Sequence, residues 1–465
     1  MNHHPDLVIL GSGTTAFAAA RQAAARGWKV LMIEQSHLGG TCVNWGCVPS
    51  KTLIDKAEMY HGARRGETWG LNLKAGPPDC GTLMSLKRQA VETVRRQHYQ
   101  RELEQTPNLQ VLRGHGRFIS PHELQVGAEI VRCERILIAV GGVPRVVPLE
   151  GLDQVDYLTS YSALHLPCFP SSLLMLGGGV IALEMGQMFA RFGTQVVILE
   201  RGDRLLQEFD PRLTGLFADI LRSEGVEIMT EVQAQRVDSS PQGVCLYSTV
   251  KGAPVGLCAE RLMLAVGTQP ATEDIGLDRA GIETDPAGFI RVDAGMRTNV
   301  PGIYAAGDVT GPPLIAPAGA REALVAVHNM LDPEGNHSID HTHTPMAVFC
   351  DPEFATVGLT AEQARQRGLE VVEAFIDLER VPKAHVMGGR RGGVILVAEA
   401  PTGRVLGCQM LAPRAADIIH EATLAVRFGL NVSQLTTTVH VYPSISDGLR
   451  MAAQELAKRL GMPIF

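Results

Sequence analysis

Apolar and polar positions alternate most plainly at the start of the chain. Residues 6–34, DLVILGSGTTAFAAARQAAARGWKVLMIE, open with an apolar run, pass through a glycine turn into an alanine-rich stretch, and close with a second apolar run ending on Glu34. Short apolar runs bounded by glycine predict buried strands, and the stretch between them predicts a helix. The same strand–turn–helix–strand order returns at residues 171–200, SSLLMLGGGVIALEMGQMFARFGTQVVILE. Two other apolar runs finish alike, RILIAVGGVP at Gly141 and LMLAVGTQP at Gly267, as though each were the exit from one such unit. TNVPGIYAAGDVTGPP predicts a further strand ending at Gly307-Asp308. From about residue 340 the texture changes. PMAVFCDPEFATVGLT, GGVILVAEA and RVLGCQMLAP predict strands, while DIIHEATLAVRFGL and DGLRMAAQELAKRL carry apolar residues at the spacings of three and four that predict amphipathic helices.

The two glycine turns carry candidate chemistry. Gly11-x-Gly13-x-x-Ala16 and Gly177-x-Gly179-x-x-Ala182 each follow a strand and open a helix. Two glycines allow a tight turn and close approach of a pyrophosphate, the small third residue lets helix pack on strand, and the helix N-terminus faces the phosphates. An acid follows each first glycine by 23 residues, Glu34 and Glu200, where a carboxylate takes ribose hydroxyls. Two dinucleotide folds in one chain imply two dinucleotides, and a flavin with a nicotinamide is the common reason to need both. Glu200 favours NADH by accepting a 2′-hydroxyl, whereas Arg201 and Arg204 would attract the 2′-phosphate of NADPH. Asp308 is placed to reach a ribityl or ribose hydroxyl.

At 465 residues the chain exceeds one ordinary core. A net charge of −7 without a basic run argues against a nucleic-acid partner, and no stretch of 18 uncharged apolar residues predicts a membrane span. The first residues, MNHHPDLVILGSG, enter a strand with no basic leader, so the cytoplasm is the expected compartment. There Cys80, Cys133, Cys168, Cys245, Cys258, Cys350 and Cys408, scattered singly, are expected to be mostly buried thiols. Cys42 and Cys47 differ. In LGGTCVNWGCVPSKT they stand five apart, which suits a zinc knuckle, a structural disulfide or a redox pair, although no second thiol or imidazole pair is placed to complete a zinc site.

Taken in order, GxGxxA, GGTCVNWGCVPSK, AVGGVP, GGGVIALE, IYAAGDV and VFCDPEFATVGLT resemble the flavin-dependent pyridine nucleotide–disulfide oxidoreductases across essentially the whole chain. That resemblance implies two Rossmann-like domains of the glutathione reductase type and a C-terminal α+β dimerisation domain, hence a homodimer. The expected boundaries are 1–148 for the first part of the FAD domain, 149–270 for the NAD(P) domain, 271–338 for the second part of the FAD domain and 339–465 for dimerisation. It also implies that FAD meets Gly11, Gly13, Ala16, Glu34, Gly40, Thr41, Gly141 and Asp308. NADH or NADPH would meet Gly177, Gly179, Ala182, Glu200, Arg201 and Gly267. Cys42 and Cys47 would form the redox disulfide, with Cys47 facing the flavin and Cys42 meeting substrate, while Lys51 and Glu184 pair beside the flavin. Residues five apart on a regular helix lie about 140° apart around its axis, so a bond needs a distorted helix start, which Gly39, Gly40 and Pro49 allow.

Disulfide-exchanging members carry His-Pro and then an acid near the C-terminus. Here TVHVYPSISDGL puts Tyr442 in the histidine's place and Asp447 in the acid's, with His440 two residues earlier. A phenol is a poor general base at neutral pH. The nearest resemblance is therefore to mercuric reductases, whose substrate metal would sit between Cys42 and Cys47, and Tyr157 and Tyr442 fall on their active-site tyrosines. The last cysteine here is Cys408, so a terminal cysteine pair like theirs is not expected, nor is their N-terminal metal-binding extension. His337, His341 and His343 in the linker are a candidate metal cluster set against a solvated loop. Trp45 either covers the thiol loop or blocks a bulky disulfide. A dihydrolipoamide dehydrogenase-like enzyme, and a flavin redox subunit or sensor docking on a partner protein, are the other readings.

Overall fold

A computed structural model describes residues 4–464. The strands Leu7–Leu10, Val30–Glu34, Leu109–Arg113, Ile136–Ile138 and Ile303–Ala305 form one five-stranded sheet, every pairing parallel. Parallel strands are covered on both faces, so all nine residues of the first two are buried. The helices Thr14–Ala24 and Ala316–Leu331 pack together over one face, where Ala16, Ala19, Ala20 and Ala23 allow close approach.

The second unit repeats this on a four-stranded parallel sheet of Ser172–Leu176, Gln195–Leu199, Glu227–Met229 and Arg261–Leu264. Its helix Val180–Arg191 lies on a core of Leu183, Met188, Phe189 and Ile198, where full burial of each large side chain contributes about 2 kcal/mol. The two predicted exits meet. Gly142–Pro144 pairs antiparallel with Thr268–Pro270, so the chain leaves and re-enters the first unit along one short ribbon.

The third unit is an antiparallel sheet in the order Met346–Val348, Glu353–Gly358, Val405–Ala412, Gly393–Glu399, Val371–Asp377. The helices Ala415–Phe428 and Asp447–Arg459 form where the apolar spacing predicts them and bury Ile419, Ala422, Leu449, Ala453 and Leu456 against it. No helix among the described residues is long and apolar enough to cross a membrane.

The scattered cysteines depart from expectation. Cys133, Cys350 and Cys408 are buried free thiols, but Cys80 bonds Cys168 and Cys245 bonds Cys258. The first bridge forms because the start of the helix Cys80–Arg95 meets the loop entering the second unit. The second joins residues directly opposite one another on adjacent antiparallel strands. Closing a loop of 88 residues restricts the unfolded chain by about 4 kcal/mol. Cys80→Ser should therefore lower the urea midpoint of the oxidised protein measurably, and reductant should bring wild type toward the variant. Coincident midpoints before reduction would contradict this.

Candidate active site

Both glycine turns close in the same way. At Gly11, with φ of +103°, a β-carbon would stand 2.4 Å from the Ala139 carbonyl oxygen. At Gly177, with φ of +115°, it would stand 2.4 Å from that of Ala265. Each turn thus lies directly on the end of the neighbouring strand and opens a helix, at Thr14 and at Val180. Ala16 and Ala182 are fully buried at those helix starts. Gly13 bridges Gly39, and a β-carbon at Gly40 would lie 2.8 Å from the Gly13 α-carbon, so the thiol loop packs backbone to backbone on the first turn. Glu34 accepts the Ser12 hydroxyl at 2.6 Å and the Ser36 amide. Asp308 follows the sheet strand Ile303–Ala305, and burial alone pushes its carboxyl upward, the state of an acid that hydroxyl donors would satisfy. These residues fit the ribityl and ribose groups of FAD.

In the second turn Glu200 accepts the amides of Gly178 and Gly202, each at 2.6 Å. Arg201 is exposed, and the buried Nε of Arg204 has no hydrogen-bond partner. The remaining Arg204 nitrogens reach the Gln207 carbonyl at 2.8 Å and Asp203 at 3.6 Å, so neither arginine pairs with Glu200. Gly141 and Gly267 lie where the strand exits pass into the antiparallel ribbon, both with positive φ.

The thiols occupy two helices rather than one. Gly40–Asn44 forms a short helix that stops at Trp45, Gly46 leaves helical geometry with φ −122° and ψ −109°, and Cys47 begins the helix Cys47–Arg64. This break removes the angular separation a continuous helix would impose. The Cys42 thiol is half-buried, Cys47 is exposed, and the two are hydrogen-bonded. That bond is the main reason Cys47 falls to about 7 and Cys42 is pushed well up; the Lys51 charge lowers Cys47 further. Cys47 also stands at a helix start, whose partial positive charge favours thiolate.

Lys51 lies one turn beyond Cys47, and its Nζ donates to Glu184 Oε2 at 2.7 Å. The other oxygen of Glu184 accepts the Phe349 amide at 2.9 Å, and Lys51 Nζ stands 4.9 Å from the centre of the Phe349 ring. Trp45 stacks on Tyr161 at 5.8 Å and meets His37 edge-on at 5.6 Å, so it covers the loop. The Tyr161 hydroxyl contacts Thr41 Oγ1 at 3.0 Å and donates to the Gly142 carbonyl.

The remaining candidates are rearranged. Tyr157 packs on the core of the second unit, and Tyr161, four residues later, is the tyrosine that meets the thiol loop. Tyr442 precedes a cis proline and is 72% exposed, beside Val439 and Val441 at 96% and 78%. Asp447 is buried and pairs with Arg450 at 2.7 Å, not with a histidine. His440 pairs instead with Glu421 at 2.6 Å, and its Nδ1 donates to the Thr438 carbonyl at 2.8 Å. The linker histidines do not cluster. His341 pairs with the buried Glu322 at 2.9 Å, His343 with Asp340 at 3.6 Å, and His337 lies against His328. No group of three metal-ligating side chains occurs among the described residues. Sequence reasoning missed Tyr161 and Glu421. An aromatic four residues past Tyr157 was the only local sign of the first, and nothing local marked the second.

Two nucleotide crooks and a thiol pair joined by a lysine–carboxylate bridge define a flavin- and nicotinamide-linked disulfide redox enzyme. The chain belongs to the pyridine nucleotide-disulphide oxidoreductase family, whose model matches residues 5–328 and whose dimerisation domain matches residues 344–453. Members use FAD and NAD(P)H. The chain is 36% identical to a mercuric reductase of Lysinibacillus sphaericus over 448 residues, covering 96% of this chain and 82% of that one. It is 35% identical to a dihydrolipoyl dehydrogenase of Thermus scotoductus over 459 residues, 98% of each. The Cu(II) complex of the HOCl-induced flavoprotein disulfide reductase RclA from Escherichia coli matches with a TM-score of 0.85 and 30% identity, covering 96% of this chain and 98% of that one.

In the reduced protein, alkylation of Cys47 by iodoacetamide should accelerate as pH rises through about 7, while Cys42 stays slow. Lys51→Met should move that midpoint upward, and peptide mass spectrometry reads both sites. An unmoved midpoint would remove the lysine's charge as a cause. Glu200→Ala should raise KM for NADH several-fold more than KM for NADPH, and Arg204→Gln should do the reverse; parallel changes would contradict the assignment of these two side chains.

Proposed function

We propose that the chain is a homodimeric NAD(P)H-dependent reductase of a thiol-bound soft metal ion, Hg(II) first, with Cys42 and Cys47 as the redox pair. FAD, when bound, supplies the two-electron relay between the nicotinamide and the thiols. Overall, NAD(P)H, one proton and a bis-thiolate Hg(II) give NAD(P)⁺, Hg(0) and two free thiols. Cys42 and Cys47 take the metal by exchanging with its two thiolate ligands, which suits a soft ion because a thiolate is its preferred donor. Lys51 supports the Cys47 thiolate, and Glu184 holds Lys51 in place.

The observation that carries this reading is the C-terminal loop. It presents the phenol of Tyr442, while both ring nitrogens of His440 are engaged within their own subunit and Asp447 is held by Arg450. Disulfide exchange needs a free base to take a proton from Cys42; a metal held by two thiolates does not. The exposed Val439 and Val441 of this loop suit burial against a second copy, which would bring Tyr442 to the partner's thiols. A second reading, Cu(II) as oxidant, is favoured by the similarity to the Cu(II)-bound reductase.

The test is NADH and NADPH oxidation by the FAD-loaded protein with HgCl₂ in excess thiol, volatile mercury being recorded alongside. Parallel assays use Cu(II) and dihydrolipoamide with NAD⁺. Mercury release abolished by Cys42→Ser, with flavin still bound, is the expected result. Tyr442→Phe should slow it about ten-fold, the loss of one hydrogen bond of ~1.4 kcal/mol. Dihydrolipoamide turnover without mercury release would overturn the proposal.

A further inference from the structure

A cavity beside the thiol loop has no part in the chemistry above. It measures about 520 Å³ and lies between the helix Cys80–Arg95 and the loop at residues 165–167, reaching Asn44 and Pro49. That volume is in the range of small-molecule sites. In a chain of net charge −7, its lining carries three cationic side chains, Lys87, Arg88 and Arg95, against the single carboxylate of Glu92. Among the described residues none of the three cations makes a salt bridge. Lys87 is only 5% exposed, and its ammonium donates to the Leu164 carbonyl, a neutral group. Burial, and then the neighbouring Arg88, push that ammonium below its usual range. A buried cation without a counter-ion is costly, and a bound anion removes the cost.

The walls are held in place. Gly81 and Pro167 line the cavity, and their neighbours Cys80 and Cys168 are bonded to each other, which staples the first unit to the second at its rim. The inner end touches the thiol loop. Arg95 donates to Asn44 Oδ1 at 3.3 Å, and Asn44 donates to the carbonyls of Leu38 and Gly40 at 3.0 and 2.8 Å. Asn44 thereby ties down the turn that carries Cys42. Guanidinium pairs match carboxylate and phosphate oxygens in bidentate geometry. The apolar wall of Met84, Val91 and Leu166 calls for a carbon skeleton rather than a bare ion.

We propose that this cavity binds a small organic polyanion, a di- or tricarboxylate or a phosphate ester, between Lys87, Arg88 and Arg95, and that its occupancy is felt at the thiol loop through Asn44. The site is independent of which oxidant the thiols reduce. The test uses the FAD-loaded full-length protein, saturated with NAD⁺ so that the nicotinamide turn is closed, at constant ionic strength. Citrate and glycerol 2-phosphate are titrated by calorimetry, and the Cys47 alkylation rate is followed in parallel on dithiothreitol-reduced protein without NAD⁺. Saturable binding of at least one anion is expected, weakened at least five-fold by Arg88→Glu, an exposed position whose variant should keep its flavin, and by Arg95→Gln. Citrate alone would assign the carboxylate class and glycerol 2-phosphate alone the phosphate class. The alkylation rate should change on binding in wild type and not in Arg95→Gln. Absence of saturable binding by either anion, or binding that both variants leave intact, would overturn the proposal.

Discussion

Everything around the thiols depends on one buried carboxylate. Glu184 is 5% exposed, and a charge so placed must be fully partnered, since removing one side of a buried pair costs about 3–5 kcal/mol. Its partners come from different units. Lys51 belongs to the thiol helix, the Phe349 amide to the third unit, and Glu184 itself to the helix Val180–Arg191 of the second. Satisfying one side chain thus registers three units of the chain against one another. The same helix face continues the seam. Gln187 exchanges two hydrogen bonds with the Asp351 backbone, and Arg191 grips Glu224 through two nitrogens while also reaching the Asp351 carboxylate. Positions 184, 187 and 191 lie on one face because of helical periodicity, so an unbroken helix delivers three polar contacts in line. A surface this polar fits in one register only, whereas an apolar one could slide.

That fixed frame explains how two thiols with opposite tendencies coexist a few ångströms apart. The break at Trp45 and Gly46 lets Cys42 end one helix and Cys47 begin the next. The Lys51 charge acts on both thiols, but only the second stands at the start of the helix that carries that lysine. The hydrogen bond between them then separates their roles, since whichever thiol accepts it becomes the better thiolate and the donor becomes the worse. Without the Lys51–Glu184 bridge the lysine would be free to swing to solvent, and the asymmetry would rest on the inter-thiol hydrogen bond and the helix start.

What the chain discloses about itself follows how far apart the interacting groups are. Both glycine turns, their acids and the strands that carry them are local patterns, and they stand in the structure where periodicity and spacing put them. Lys51 and Glu184 lie 133 positions apart, and only a family resemblance could join them. The cysteines show the limit more sharply. Nothing near Cys80 distinguishes it from Cys133, yet one is bonded across 88 residues and the other is a buried thiol. Likewise Asp447 looks like the natural partner of a nearby histidine, but the backbone turns it toward Arg450 and leaves His440 to Glu421 on an earlier helix. Tyr161 displaces Tyr157 at the thiol loop because a short helix begins between them.

The ribbon of Gly142–Pro144 and Thr268–Pro270 makes the second unit an inserted cassette. Its two ends run side by side at the spacing of adjacent strands, about 5 Å, so the first unit is interrupted in sequence but scarcely in space. Evolution can replace or resize such an excursion without disturbing the sheet it leaves, as with any insertion whose ends are close. Here that freedom has been partly given up. The Glu184 seam and the Cys80–Cys168 bridge are further ties across the same boundary. A transplanted cassette would join the chain readily and then have to match this seam before it could serve the thiols.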